Sequence, residues 1–220
     1  MQRGGALVTT ALIALNVLVY FAELAQGASL TPQSGSIFTK GVLFGPLVAN
    51  GDWWRLITAA FLHGSPLHLG MNMLALYWFG APLEQALGRW RFLLLYLVSG
   101  LAGSAGALIA NPTGLTVGAS GAIFGMLGAA LVFERQGHYV FGGQALGLIV
   151  LNLVFTFAIP NISVGGHIGG LAGGIVGGLI LTRFGRGRVY GNLDVAGVIG
   201  LALIGVVSVG LAYWKVRGYA

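Results

Sequence analysis

The sequence predicts an all-α fold, a polytopic membrane bundle of seven transmembrane helices in one domain. Only 7% of the 220 residues are charged, 56% are hydrophobic and the mean hydropathy is +0.88. This composition is typical of integral membrane proteins. Apolar stretches divide the chain, and most are near the length that crosses about 30 Å of hydrocarbon. The stretches cover residues 6–26, 66–82, 91–110, 119–133, 143–160, 164–182 and 195–213.

The first stretch and the basic residues predict the orientation. Arg3 and the small residues of "AELAQGAS" would also fit a cleaved secretory signal, but the apolar run is as long as a full span, which favours a retained helix. A cytoplasmic N-terminus places seven basic residues inside and four outside, as the positive-inside rule prefers. The inner residues are Arg3, Arg89, Arg91, Arg135, Arg183, Arg186 and Arg188, and the outer ones are Lys40, Arg55, Lys215 and Arg217. The C-terminus is then extracytoplasmic, and the short tails without a targeting sequence favour a prokaryotic cell membrane.

The composition also excludes several kinds of function. Cysteine is absent, which removes disulfides, thiol catalysis and cysteine–metal sites. The net charge of +6 is not arranged as a basic stripe interleaved with aromatic side chains, so no nucleic-acid partner is expected. The oligomeric state is not predicted.

The fourth stretch is too short to cross the whole hydrocarbon core, and a serine lies at its start. It begins near Ser120, after the turn-rich "NPTGLTVGA", and ends at Glu134–Arg135. At about 1.5 Å per residue it rises roughly 21 Å, which places Ser120 about 9 Å below the outer boundary. Taken alone, Ser120 is more simply interpreted as a helix N-cap.

The second and sixth stretches place further polar side chains near this depth. In "HGSPLHLGMNM", Ser65 is the expected N-cap and Pro66 the first helical residue. His68 and Asn72 share one helix face, at depths of about 6 Å and 12 Å. His167 lies about 9 Å deep in the sixth stretch. Such groups usually face a cavity or one another, although His167 and Asn72 could also be plain interhelical hydrogen-bonding residues.

Glycines flank both the serine and the histidine. In "GGHIGGLAGGIVGG" they form two rows at four-residue spacing, and Gly121 and Gly125 are spaced likewise in the fourth stretch. The rows are Gly165, Gly169 and Gly173, and Gly166, Gly170 and Gly174. Small residues at this spacing let membrane helices approach closely. The helices that carry Ser120 and His167 are therefore predicted to touch.

A serine beside a neutral imidazole can act as a nucleophile when the imidazole takes its proton. No carboxylate is expected at this depth, because the acidic residues all lie near segment ends or in loops. They are Glu23, Asp52, Glu84, Glu134 and Asp194. The residues thus predict a Ser–His dyad. His68, Asn72 and the backbone N–H of Ser120 could supply donors to an oxyanion.

Four motifs together resemble those of the rhomboid family of intramembrane serine proteases, over about residues 1–185. They are "GASG" with Gly118 and Ser120, "GGHIGG" with His167, "HGSPLHLGMNM" with His63, His68 and Asn72, and "GDWWRLITAAFLH" with Trp54 and Arg55. The resemblance implies a six-helix rhomboid-like core at residues 1–190 and one additional C-terminal transmembrane helix with a short tail at 191–220.

The resemblance also implies a role for each of these residues. Ser120 would be the nucleophile and His167 its base. The oxyanion hole would consist of His68, Asn72 and the Ser120 amide. The site would be supported by His63 and the Trp54–Arg55 loop. Gly118 and Phe124 would belong to that support. Phe124 stands where many members carry a tyrosine that stacks on the histidine; a phenyl ring can stack but donates no hydrogen bond, so the orientation of His167 is expected to differ slightly.

The implied reaction is hydrolysis of a peptide bond in or near a transmembrane helix of a single-span membrane protein, within the lipid bilayer and with no cofactor or metal. Two alternatives stay open. One is a catalytically inactive rhomboid-like protein that binds transmembrane helices, and the other is a small transporter whose polar groups line a permeation path. A soluble nucleophile elbow would need a preceding strand, and His63 and His68 lack the third ligand of a zinc site.

Overall fold

The computed structural model describes residues 5–26, 35–184 and 195–219. Within these ranges the regular elements are helices, and extended backbone pairs only in a single bridge between Leu43 and Thr116. The predicted all-α class is confirmed. In chain order the helices are α1 (Leu7–Leu24), α2 (Ser36–Gly41), α3 (Gly45–Ala49), α4 (Arg55–Thr58), α5 (Pro66–Ala75), α6 (Ala81–Leu87), α7 (Arg89–Ala110), α8 (Ser120–Arg135), α9 (Ala145–Ala158), α10 (Val164–Phe184) and α11 (Val195–Val216).

Every predicted apolar stretch is helical, and among the described residues four helices are long and apolar enough to cross a membrane. These four are α1, α7, α10 and α11, the last continued by a 3₁₀ turn at Arg217–Tyr219. The chain is a multi-pass integral membrane protein. The second stretch is composite, because a π-helical segment at Leu76–Gly80 joins α5 to α6. The helices α8 and α9 are shorter, with 16 and 14 residues.

The region between the first two apolar stretches, which is expected to be a loop only around Trp54–Arg55, is partly helical. It contains α2, α3, α4 and a 3₁₀ turn at Ala59–Phe61. Each element is at most six residues long, too short to show a hydrophobic period in the sequence. Tertiary packing stabilises them, since Leu43, Val48 and Leu56 are buried with residues of α7 and α11.

Helix α10 lies at the centre, against α7 on one side and α8 on the other. A Cβ at Gly170 or Gly174 would overlap the backbone carbonyls of Gly121 and Gly125 in α8. The predicted close approach of these two helices is confirmed for this row of glycines. The other row packs on α7 instead, where Gly165 and Gly169 meet the backbone of Gly106 and Ala102.

Two buried carboxylates cap helices. Glu84 accepts hydrogen bonds from the backbone N–H groups of Val8 and Thr9, at 2.9 and 2.7 Å, and from the Thr9 hydroxyl at 2.8 Å. Glu134 accepts from three backbone N–H groups of the segment that leads into α9. Both acids therefore lie at the ends of helices, as the sequence predicted, and satisfy N–H groups that a helix leaves unpaired.

Candidate active site

Ser120 is the first residue of α8 and is not the cap of that helix. The N-cap is Ala119, whose methyl side chain cannot accept a hydrogen bond. The Ser120 Oγ lies 2.8 Å from Nε2 of His167, which belongs to the first turn of α10. The interpretation of Ser120 as a plain N-cap is therefore wrong, and the predicted contact between the two helices includes this hydrogen bond.

The His167 ring is buried and is held on three sides. Its Nε2 meets Ser120, its Nδ1 lies 2.7 Å from the Thr156 hydroxyl oxygen, and the Phe124 ring stacks on its face. The two ring centroids are 4.2 Å apart with an interplanar angle of 20°. A phenyl ring thus provides the stacking partner, and the hydrogen bond at Nδ1 comes from another helix, α9.

The turn before Ser120 is fixed by backbone hydrogen bonds. Leu43 and Thr116 exchange N–H···O bonds of 3.0 and 3.1 Å, and the Gly118 N–H donates to the Ala59 carbonyl at 2.9 Å. Gly118 has a φ of +116°, and a Cβ at this residue would lie 2.7 Å from Nε2 of His68. Only glycine fits, both for conformation and for space.

His68 and Asn72 lie next to this turn, on one face of α5. The Ser65 hydroxyl accepts a 3.1 Å hydrogen bond from the His68 N–H, so the predicted N-cap, with proline in the first turn, is confirmed. The Asn72 side-chain amide donates to the His68 carbonyl at 2.9 Å. The other amide atom, Asn72 Oδ1, is buried with no hydrogen-bond partner in the described part of the chain.

The remaining predicted residues surround the site at a greater distance. His63 is fully buried, and its ring packs edge-on against His68 with centroids 5.0 Å apart. Arg55 is buried and binds the Asp52 carboxylate and the carbonyls of Thr39 and Val42. The exposed Trp54 donates its indole N–H to the Lys40 carbonyl at 2.9 Å. The hydrogen bonds of Trp54 and Arg55 thus connect α2 with α4 and do not involve Ser120 or His167.

Thr156 is a site residue that sequence reasoning missed. Its run, "LIVLNLVFTFA", is apolar except for Asn152 and Thr156, which are four residues apart and share a helix face. This spacing was a usable signal that one face of α9 turns towards polar groups. The signal is weak by itself, because a threonine in a membrane helix usually bonds its own helix backbone.

Comparison with known proteins identifies the family. The rhomboid domain matches residues 50–184, a range that includes all the predicted site residues. The chain is 39% identical over 171 residues to the rhomboid protease GluP of Bacillus subtilis (strain 168). The aligned stretch covers 76% of this chain and 33% of GluP.

Other relatives are similarly related. RHOMBOID-like protein 5 of Arabidopsis thaliana is 37% identical over 66% of this chain and 47% of its own length. The rhomboid protease AarA of Providencia stuartii is 30% identical over 59% of this chain and 52% of its own. The match thus spans a third to about half the length of these relatives. The domain match covers more than half of the chain, and the chain belongs to the rhomboid family.

Proposed function

We propose that this protein is an intramembrane serine endopeptidase that hydrolyses peptide bonds in or near the transmembrane helices of single-span membrane proteins. The observation that carries the proposal is the 2.8 Å hydrogen bond between Ser120 Oγ and His167 Nε2. It joins α8 and α10 in a membrane protein of the rhomboid family. Relatives that bear the name rhomboid protease support the same activity.

In the proposed reaction, His167 Nε2 takes the proton of the Ser120 hydroxyl while Oγ attacks the carbonyl carbon of the scissile peptide. The protonated imidazole then gives this proton to the leaving amine, and an acyl-enzyme ester remains on Ser120. A water molecule, deprotonated by the same imidazole, attacks the ester. The imidazolium returns this proton to Oγ as the ester bond breaks, which regenerates the serine and the neutral imidazole. The carboxylic acid so formed loses its proton to water and leaves as a carboxylate.

The oxyanion of each tetrahedral intermediate needs hydrogen-bond donors. We assign this role to His68, Asn72 and the backbone N–H of Ser120. The assignment is supported by the position of the His68 ring against Gly118 and by the location of Ser120 at a helix N-terminus, where the backbone N–H groups have no partner within the helix. Loss of one such donor typically lowers the rate by about 10²–10³.

The other site residues would keep these groups in place. His63 backs the His68 ring, Gly118 admits that ring beside the serine turn, and Phe124 supports the base by stacking. Trp54 and Arg55 would stabilise the outer segment that runs from α2 through α4 to the 3₁₀ turn, where the Ala59 carbonyl anchors Gly118. No cofactor or metal enters this mechanism.

Within this function the chain would be a six-helix rhomboid-like core at residues 1–190 with an additional transmembrane helix at 191–220. The range of the family match, which ends at residue 184, supports this division. We further propose a location in the cell membrane with the N-terminus cytoplasmic and the C-terminus outside, because this orientation places the majority of the basic residues inside.

The test is cleavage of a single-span substrate with small residues near one end of its helix, reconstituted with the protein in liposomes. Ser120→Ala and His167→Ala are each expected to abolish cleavage, and a fluorophosphonate is expected to label Ser120 in the unmodified protein. The Ser120→Ala protein should keep the thermal unfolding midpoint of the parent, which shows that the fold survives. Undiminished cleavage by Ser120→Ala would refute the proposal, and helix binding without cleavage by the unmodified protein would identify an inactive relative.

A further inference from the structure

We infer that Thr156, on α9, holds the His167 imidazole in the tautomer that leaves Nε2 free to accept the Ser120 proton. The inference rests on the proposed protease function, and it assigns a positioning residue that lies on neither of the two helices of the dyad. The structural observation is a chain of three short hydrogen bonds that runs from the Asn152 carbonyl through Thr156 and His167 to Ser120.

The positions of the hydrogens follow from counting donors. The Thr156 Oγ1 lies 2.7 Å from the Asn152 carbonyl oxygen and 2.7 Å from His167 Nδ1. A carbonyl oxygen can only accept, and a hydroxyl has a single hydrogen to donate. If that hydrogen pointed to Nδ1, the 2.7 Å contact between the two oxygens would have no hydrogen between them. Both contacts are hydrogen bonds only when the hydroxyl donates to Asn152 and Nδ1 carries a hydrogen that it donates to Oγ1.

The protonation of Nδ1 decides the chemistry at the other nitrogen. In a neutral imidazole one ring nitrogen donates and the other accepts. With the hydrogen on Nδ1, the Nε2 atom is an acceptor and the 2.8 Å contact to Ser120 is a hydrogen bond donated by the serine hydroxyl. This is the tautomer that a general base requires. In a Ser–His–Asp triad the aspartate sets the tautomer, and here a neutral hydroxyl would do so.

The surroundings of Thr156 support a specific role. Its side chain is 3% exposed, whereas its neighbours Phe155 and Phe157 are 49% and 67% exposed. The ordinary interpretation is a threonine that satisfies its own helix backbone, and the bond to Asn152 alone would fit it. That interpretation does not explain the second bond. Without Thr156 the Nδ1 hydrogen of this buried ring would lose the acceptor that it has in this structure, and a buried donor without an acceptor is energetically unfavourable.

The first experiment compares Thr156→Val with Thr156→Ser in the cleavage assay. Valine keeps the branched shape but offers no hydrogen-bond acceptor to Nδ1. We expect kcat to fall about tenfold or more, because general-base catalysis is typically worth about 10²–10⁴ in rate. KM should stay within about twofold of the parent value. Serine keeps the hydroxyl and should restore most of kcat. The matched control is Ser208→Ala, which removes a buried α11 hydroxyl that donates to the Ile204 carbonyl of its own helix, and it should leave kcat and KM unchanged.

The second experiment reads the tautomer without any turnover. In ¹⁵N-histidine NMR of the reconstituted protein, the His167 signals are identified by their loss in His167→Gln. We expect a protonated Nδ1 and a bare Nε2 in the parent and in Thr156→Ser, and a shift of the hydrogen towards Nε2 in Thr156→Val. An unchanged spectrum or an unchanged kcat in Thr156→Val would overturn the inference. If the parent protein cleaves nothing, the protease proposal fails, and the spectrum alone still decides whether Thr156 sets the tautomer.

Discussion

At the scale of single residues, the position of the His167 ring depends on contacts from three side chains on two other helices. Ser120 and Phe124 belong to α8 and lie one turn apart, so that one side chain reaches the ring edge while the other covers the ring face. Thr156 reaches the far edge from α9. A buried imidazole contacted on this many sides has little freedom to rotate away from the serine.

Phe124→Leu tests the contribution of stacking. Leucine fills much of the volume but presents no aromatic face, and an aromatic pair is worth about 0.5–1.5 kcal/mol beyond its burial. We expect kcat to fall about two- to tenfold, with the unfolding midpoint within a few degrees of the parent. Phe124→Tyr retains the ring and serves as the control, with kcat at or above that of the parent. Cleavage by the leucine variant at the parental rate would show that stacking does not contribute.

At the scale of elements, the glycine rows of α10 allow three helices to approach backbone to backbone. One row meets α8 and the other meets α7. The distance between Ser120 and His167 is therefore a property of the α8–α10 interface, since each residue lies in the first turn of its helix. Any side chain that separates these two helices also separates the dyad.

Gly174→Ala tests this dependence at a position remote from the reacting atoms. The added methyl group would overlap the backbone of Gly125, and overpacking of this kind typically costs about 1–3 kcal/mol. We expect a lower unfolding midpoint in detergent and a marked loss of cleavage. Gly210→Ala in α11 is the control, because within the described part of the chain no atom outside its own stretch of helix lies within 4 Å of the new methyl group. If the Gly174 variant unfolds and cleaves like the Gly210 variant, the backbone contact does not position the dyad.

At the scale of the whole molecule, the absence of cysteine from the sequence makes the proposed orientation easy to test. Thr113→Cys marks the connection between α7 and α8, and Tyr139→Cys marks the connection between α8 and α9. Both residues are exposed. In intact cells a membrane-impermeant maleimide is expected to label the first variant only, and both variants after the membrane is permeabilised. The reverse pattern would place the N-terminus outside.

The helices of the bundle could be predicted from the sequence because lipid offers no hydrogen-bond partners to the backbone of a membrane-spanning segment. Long apolar runs must then be helical. The boundaries of α8 followed from "NPTGLTVGA" and from Glu134–Arg135, and the start of α5 followed from Ser65 and Pro66. The reactive residue types were recognisable for a related reason, since serine, histidine and asparagine are costly at that depth and stand out from their neighbours.

The sequence by itself determined that this is an all-α membrane protein, which of its residues could react, and which family motifs they form. Only the tertiary structure decided which glycine row meets which helix, that α2, α3 and α4 form beside the site, and that Thr156 meets the second nitrogen of His167. The physical reason is that composition and periodicity act along one segment. The rotation and tilt that bring atoms of α8, α9 and α10 within hydrogen-bonding distance depend on packing between segments far apart in the chain.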